Sequence, residues 1–237
     1  MLQIKNYSLE YIRGKRVVSN LNLSIREGDI YAFVGRNGAG KTTTIKSMVG
    51  INHITEGDIL LDKVSVLKNP IQYKKMIAYV SDTPILYEHL TGIQYLNFIA
   101  DIYDLTYKVR EERIKKYATD FEIFDELGNL ISSYSHGMKQ KLVLIGAFIH
   151  DPKLYVLDEP FVGLDPKATY ILKDILKEKA KEGKIVFFST HVLDVAEKLC
   201  NRIAIIKDSK LIVDGDMDRI IKDKTLEETF MELVVDE

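Results

Sequence analysis

The stretch Gly35-Arg36-Asn37-Gly38-Ala39-Gly40-Lys41-Thr42-Thr43 constrains this chain more than any other. It reads G-x-x-x-x-G-K-T, the spacing of a phosphate-binding loop. The apolar run 30–34 before it predicts a buried strand. Thr42 to Val49 predicts a helix with Ile45, Met48 and Val49 on one face. Such a strand, loop and helix suit a triphosphate for three reasons. Glycines let backbone N–H groups turn toward phosphate oxygens. The helix N-terminus adds partial positive charge. Lys41 brings a full charge to the β- and γ-phosphates, and the Thr42 hydroxyl suits Mg²⁺. A Gly-rich turn with no ligand would not need all these residue types in one register.

Composition narrows the partners. With 237 residues and 46% hydrophobic content, the chain can bury a sizeable core. A formal net charge of -2 argues against a general nucleic-acid binder. The longest uncharged apolar run, 142–149, is too short to span a bilayer. Lys5 and Glu10 break any leader-like pattern after Met1. Cys200 is the only cysteine, so no intramolecular disulfide forms; it reads as a small buried hydrophobe. The expectation is a cytoplasmic protein whose membrane role, if any, comes through a partner.

Along the chain, 2–9 and 20–25 read as strands; in the second, Leu21, Leu23 and Ile25 alternate with polar neighbours. They predict an antiparallel β layer beside the phosphate loop. Tyr11 in this layer admits two readings, stacking on a base or ordinary strand packing. Further strands are expected at 57–62 and 77–80, the latter ending at Ser81-Asp82-Thr83-Pro84. From Ile85 the pattern turns helical, and Ile114, Tyr117, Ala118 and Phe121 share one face. We read one domain over 1–237: 85–149 is a helical insert, and 1–84 with 150–237 forms the rest. The aromatics of the insert (Tyr87, Tyr95, Phe98, Tyr103, Tyr107) are expected mostly in its core, a few facing a partner.

The stretch Tyr134-Ser135-His136-Gly137-Met138-Lys139-Gln140 opens a helix running to about Ile149. Ser135 and Gly137 there can offer a hydroxyl and backbone N–H groups to an anion, or can serve only as a cap. The run 153–158 predicts a buried strand that delivers Asp158 and Glu159 to its end. Beside a phosphate loop, Asp158 suits the Mg²⁺ shell. Glu159 suits orienting or deprotonating an attacking water. Asp165-Pro166 reads as an N-cap and first helical residue. The strand 184–189 ends near His191, which a γ-phosphate could reach or which could be an ordinary loop histidine. A helix (192–199), a strand (202–207), a hairpin (211–215) and an amphipathic helix (225–234) close the chain.

In this order the motifs resemble the ATP-binding cassette (ABC) ATPases, over about Leu2 to Leu233. The form of 134–140 and the closing stretch 226–233 are most similar to stand-alone ATPase subunits of bacterial exporters of the bacitracin-resistance or multidrug type. The resemblance implies an α/β phosphate-loop cassette with a mixed sheet core, an antiparallel β subdomain and an inserted helical subdomain. It implies two cassettes, identical or different, paired head to tail around ATP and Mg²⁺. The phosphate loop of one, Gly35 to Thr43, would face the signature Ser135-His136-Gly137 of the other. Tyr11 would stack on adenine, while Thr42, Asp82 and Asp158 would serve Mg²⁺. Lys41, Glu159 and His191 would act on the γ-phosphate and its water, and Asp165 would link the two sites. The motion would drive a multispanning permease from the inner face of the cell membrane. Two positions depart from the family pattern: Asp82 stands where a glutamine is usual, and His136 where the first signature glycine is usual. Rival readings are a non-transport cassette, which typically carries coiled-coil arms or a second cassette, and a regulatory module without turnover, against which Glu159 argues.

Overall fold

Every side chain of β3 (Ile30–Gly35) is buried because the strand lies between two apolar cores. Ile30, Ala32 and Val34 join one core; Tyr31 and Phe33 join the other. A strand covered on both faces reads as a continuous apolar run, which is how it looks in the sequence. The computed structural model that shows this describes residues 1–12 and 14–234.

Four strands form an antiparallel sheet: β1 (Leu2–Ile12), β2 (Lys15–Ile25), β4 (Glu56–Leu61) and β5 (Val64–Ser65), in the order β2-β1-β4-β5. Leu21, Leu23 and Ile25 of β2 point inward and their polar neighbours outward, as the alternation predicts. The second sheet adds β6 (Ile77–Val80), β7 (Leu154–Asp158), β8 (Ile185–Ser189), β9 (Arg202–Lys207) and β10 (Lys210–Asp216) to β3. Its order is β10-β9-β3-β8-β7-β6, parallel except for β10. Around it lie α1 (Lys41–Met48), α2 (Pro70–Lys75), α3 (Gly92–Ile102), α4 (Tyr107–Asp120) and α5 (His136–Ile149). After β7 come α6 (Pro166–Lys181), α7 (Leu193–Leu199), α8 (Met217–Ile221) and α9 (Leu226–Val234). The α/β class and the mixed and antiparallel sheets are those the sequence predicts.

Phe187 of β8 fixes the core between the sheets. Its ring stacks on Tyr31 at 5.7 Å and tilts against Phe33 at 5.5 Å. Phe187→Ala is therefore expected to cost about 3–5 kcal/mol, the range for a truncated buried aromatic. Urea unfolding measures it; a loss under about 1 kcal/mol would mean the site collapses without a cavity.

The insert differs from expectation in two ways. Residues 85–90 are not helical, and α3 begins at Gly92. Thr91 sets that start through a capping box: its hydroxyl accepts from Gln94 N, and Gln94 accepts from Thr91 N at 2.9 Å. The insert aromatics are also not mostly core. Tyr95 is buried and Tyr103 half-buried against His150, but Tyr87, Phe98 and Tyr107 are exposed. The reason is that α3 buries Tyr95, Leu96 and Ala100, leaving Phe98 on its outer side, while Ile102 is exposed at the last residue of the helix. In α4 the predicted face holds: Ile114, Tyr117 and Ala118 are buried, with Phe121 just beyond the helix.

Candidate active site

The parallel strands β3, β8, β7 and β6 are neighbours, so their carboxyl ends form one edge. In register, Phe33 and Asp158 both pair with Ser189, and Leu157 pairs with Val80. The loops that follow these strands therefore converge, the usual place for a ligand in an open α/β sheet. There they line a cleft of about 520 Å³. The lining brings Asn37, Gly38, Gly40, Lys41, Thr42 and Thr43 of the phosphate loop together with Asp82, Glu159, His191 and Val17.

The phosphate loop holds its shape because two glycines accept conformations closed to other residues. Gly38 and Gly40 have φ of 83° and 109°. A Cβ on Gly40 would also stand 2.9 Å from the Val17 carbonyl. Lys41, nearly buried, donates from Nζ to the Gly35 carbonyl at 2.6 Å and the Arg36 carbonyl at 3.2 Å. Burial lowers its pKa below the ordinary lysine value, while the charges of Glu159 and Asp158 pull it back up.

Asp158 ends β7 with 1% of its surface exposed. Its Oδ1 accepts from the Ser189 hydroxyl, and its Oδ2 is buried with no hydrogen-bond partner. Burial raises its pKa, against the Ser189 and Thr42 hydroxyls; the charges of Asp82 and Glu159 raise it further. The Asp158 carboxylate, with its Oδ2 buried and the Thr42 hydroxyl beside it, supplies hard oxygen ligands that fit Mg²⁺. Glu159 follows at φ 49°, a conformation rare outside glycine, and its N–H donates to the Ser189 carbonyl at 3.2 Å. Its carboxylate lies 2.9 Å from His191 Nδ1 and accepts from the His191 backbone N–H at 3.3 Å.

The remaining candidates lie elsewhere. Arg36 and Ala39 belong to the loop but line a separate hollow with Lys207 and Val234. Tyr11, 57% exposed, is not part of the cleft wall; its hydroxyl accepts from Asn52 Nδ2 at 2.9 Å, and Asn52 also reaches the Thr43 carbonyl. Ser135, His136, Gly137 and Asp165 line no part of the cleft. Ser135 caps α5, its hydroxyl accepting from Met138 N at 3.3 Å. Asp165 caps α6, accepting from Ala168 N at 2.7 Å. That N–H, then the Lys141 ammonium, holds the Asp165 pKa below its ordinary value. Sequence reasoning missed Val17, Asn52 and Ser189, which carry no motif of their own; the strand register supplies Ser189.

A strand-end Asp-Glu facing a phosphate loop, with a histidine on the glutamate, defines an ATPase of the phosphate-loop kind. Comparison with known proteins narrows this. The family model described as "ABC transporter" matches residues 18–162. The SkfA peptide export ATP-binding protein SkfE of Bacillus subtilis is 36% identical over 90% of this chain and 88% of its own. The bacitracin transport ATP-binding protein BcrA of Bacillus licheniformis is 34% identical over 92% of this chain and 72% of its own. A solved ATP-binding subunit of an ABC transporter superposes with a TM-score of 0.94 at 32% identity, covering 98% of this chain and 99% of that one. The chain belongs to the ABC transporter family, as an ATP-binding and ATP-hydrolysing subunit.

Proposed function

We propose that the chain is one domain over 1–237, the ATPase of an exporter, working as a head-to-tail pair beneath a multispanning permease. The observation that carries the pairing is the separation of two groups of residues. Lys41, Glu159 and His191 share a cleft, whereas Ser135, His136, Gly137 and Asp165 line no part of it. One chain does not bring its signature to its own cleft. A second cassette, identical or different, completes the site by covering the cleft of its partner.

In this reading the loop 35–43 and Lys41 hold the triphosphate, and Tyr11, outside the cleft wall but tied through Asn52 to Thr43, would stack on the base where it extends beyond the cleft. Thr42 and Asp158 would hold Mg²⁺, with Asp82 in reach of its waters; the ion would neutralise charge developing on the phosphates. The Glu159 carboxylate takes a proton from water as its oxygen attacks the γ-phosphorus and ADP leaves. His191, held by Glu159, is set to donate to the γ-phosphate. Binding closes the pair and hydrolysis lets it open, so the stroke is a population shift.

Two observations are consistent with a membrane-spanning partner. Among the described residues no helix is long and apolar enough to cross a membrane. The insert exposes Ile85, Tyr87, Phe98 and Ile102, with Tyr87 edge-on to Phe98 at 5.8 Å. Such a patch suits a helix or loop of another protein. The names of the peptide-export and bacitracin-transport relatives support export, and the inner face of the cell membrane is where the chain would act. No nucleic-acid partner is proposed. Affinity purification from detergent-solubilised membranes tests the reading: a multispanning protein is expected, with ATP-dependent phosphate release. A soluble protein or nucleic acid in its place would overturn it.

Asp82 gives a finer test. It lines the cleft at the end of β6, and its charge acts on Asp158. Asp82→Ala is expected to keep ATP affinity within about 3-fold, since it leaves Lys41 and the loop donors in place. It should lose the stimulation of ATPase by the permease, and Asp82→Glu should keep more of it. Equal stimulation of wild type and Asp82→Ala in reconstituted vesicles would remove Asp82 from the coupling.

A further inference from the structure

The loop between Glu159 and α6 is gripped by one side of α5. His136 with Gln140 and Gly137 with Lys141 are adjacent i,i+4 pairs, so the four share one half of the helix surface. Each meets the loop. A Cβ added to Gly163 would stand 2.6 Å from His136 Cδ2 and 2.7 Å from its Nε2, so the imidazole occupies the space a side chain would need. A Cβ on Gly137 would stand 3.0 Å from the Gly163 carbonyl. Gln140, buried, reaches the Pro160 carbonyl with Nε2 at 3.5 Å. Lys141 Nζ lies 2.9 Å from Asp165 Oδ2, with the lysine side chain 14% and the aspartate 49% exposed. Asp165 spends its other oxygen on Ala168 N, so both carboxylate oxygens are committed within the chain.

We propose that this clasp makes the signature and the Asp165 loop a single rigid surface, presented as a unit to the partner cassette, and that Lys141 is the positioning residue that locks it. Glu159 opens the loop, and the Val162 N–H donates back to the Glu159 carbonyl at 3.2 Å. A shift of Glu159 is thereby passed through the loop to Gly163 and so to His136. The histidine that replaces the usual signature glycine acts in the clasp as the contact on Gly163. The proposal rests on the head-to-tail reading above.

Lys141→Met keeps the apolar stem and removes the charge. It is expected to lower kcat on the order of 10-fold, the ordinary size of coupling between contacting residues. ATP affinity measured on dilute, monomeric protein should not change, because Lys141 lines no part of the cleft. Lys141→Arg should restore most of the rate. In a double-mutant cycle with Asp165→Asn, the pair should be no slower than the slower single variant; rates that multiply would overturn the clasp. Gly163→Ala should be slow for two reasons, the strain of a side chain at φ 81° and the clash with His136. Only the second is relieved by His136→Gly, so Gly163→Ala/His136→Gly should turn over faster than Gly163→Ala with the shared backbone strain still present; a rate equal to or below that of Gly163→Ala would overturn the role of His136. The pairing itself is read in a Glu159→Gln background with ATP, by size-exclusion chromatography. If Glu159→Gln pairs and Glu159→Gln/Lys141→Met pairs equally well, the clasp alone fails. If Glu159→Gln binds ATP and stays monomeric, the head-to-tail reading fails and the clasp with it.

Discussion

In Lys41→Ala, steady-state phosphate release is expected to fall on the order of 10²–10³-fold, the range for removing one preorganised donor to developing charge. ATP affinity should fall roughly 10- to 100-fold, the worth of a charge-assisted hydrogen bond in a partly buried site. The structure gives the reason. Lys41 lines the cleft within electrostatic reach of Glu159, and its ammonium is already nearly buried on the Gly35 and Arg36 carbonyls. Burial has lowered its pKa; phosphate oxygens arriving alongside favour the charged form again, so binding and charge reinforce each other. The substitution also strips two loop carbonyls of a donor, so a thermal melt must accompany the assay. A variant that melts near wild type but does not turn over locates the loss in the site. Near-normal turnover would take Lys41 out of the chemistry.

Most of the site was legible because it sits where the chain has few choices. The loop 35–43 needs glycine at φ 83° and 109°, a lysine and a hydroxyl in fixed order, and that pattern is visible without a fold. Asp158 and Glu159 were legible because a buried apolar strand ending in two carboxylates has few structural uses. Ser189 was not, since its part comes from register: it reaches Asp158 only because β7 and β8 pair as they do. Asn52 and Val17 come to the loop through tertiary folding alone. Periodicity located α4, whose face is apolar at helical spacing, but not α2, a short helix with only Tyr73 buried. Residues 85–90 look helical in the sequence and are not, because aromatic and aliphatic density does not tell an exposed loop from a helix face. The same density misplaced Tyr87 and Phe98 in the core, and their exposure turns a packing expectation into a surface.

Glu159→Gln separates binding from turnover. The amide keeps the shape of the carboxylate and can still meet His191 Nδ1, now at 2.9 Å from Oε2, but it cannot take a proton from water. The rate is expected to fall about 10²–10⁴-fold, the contribution of a positioned general base. ATP affinity should be kept, since one negative charge is removed from a site that receives a triphosphate. The position supports a specific task. Glu159 holds a positive φ, pinned by its N–H on Ser189 and by His191, and backbone strain of this kind costs about 1–3 kcal/mol and persists where surroundings enforce it. If closure needs ATP and opening needs hydrolysis, the variant should accumulate as a dimer with ATP, while the wild type cycles back to monomer. Light scattering during size-exclusion chromatography, with ATP and then with ADP, reads both states. Turnover near wild type would move the base elsewhere, with His191, exposed beside the same cleft, the next group to test.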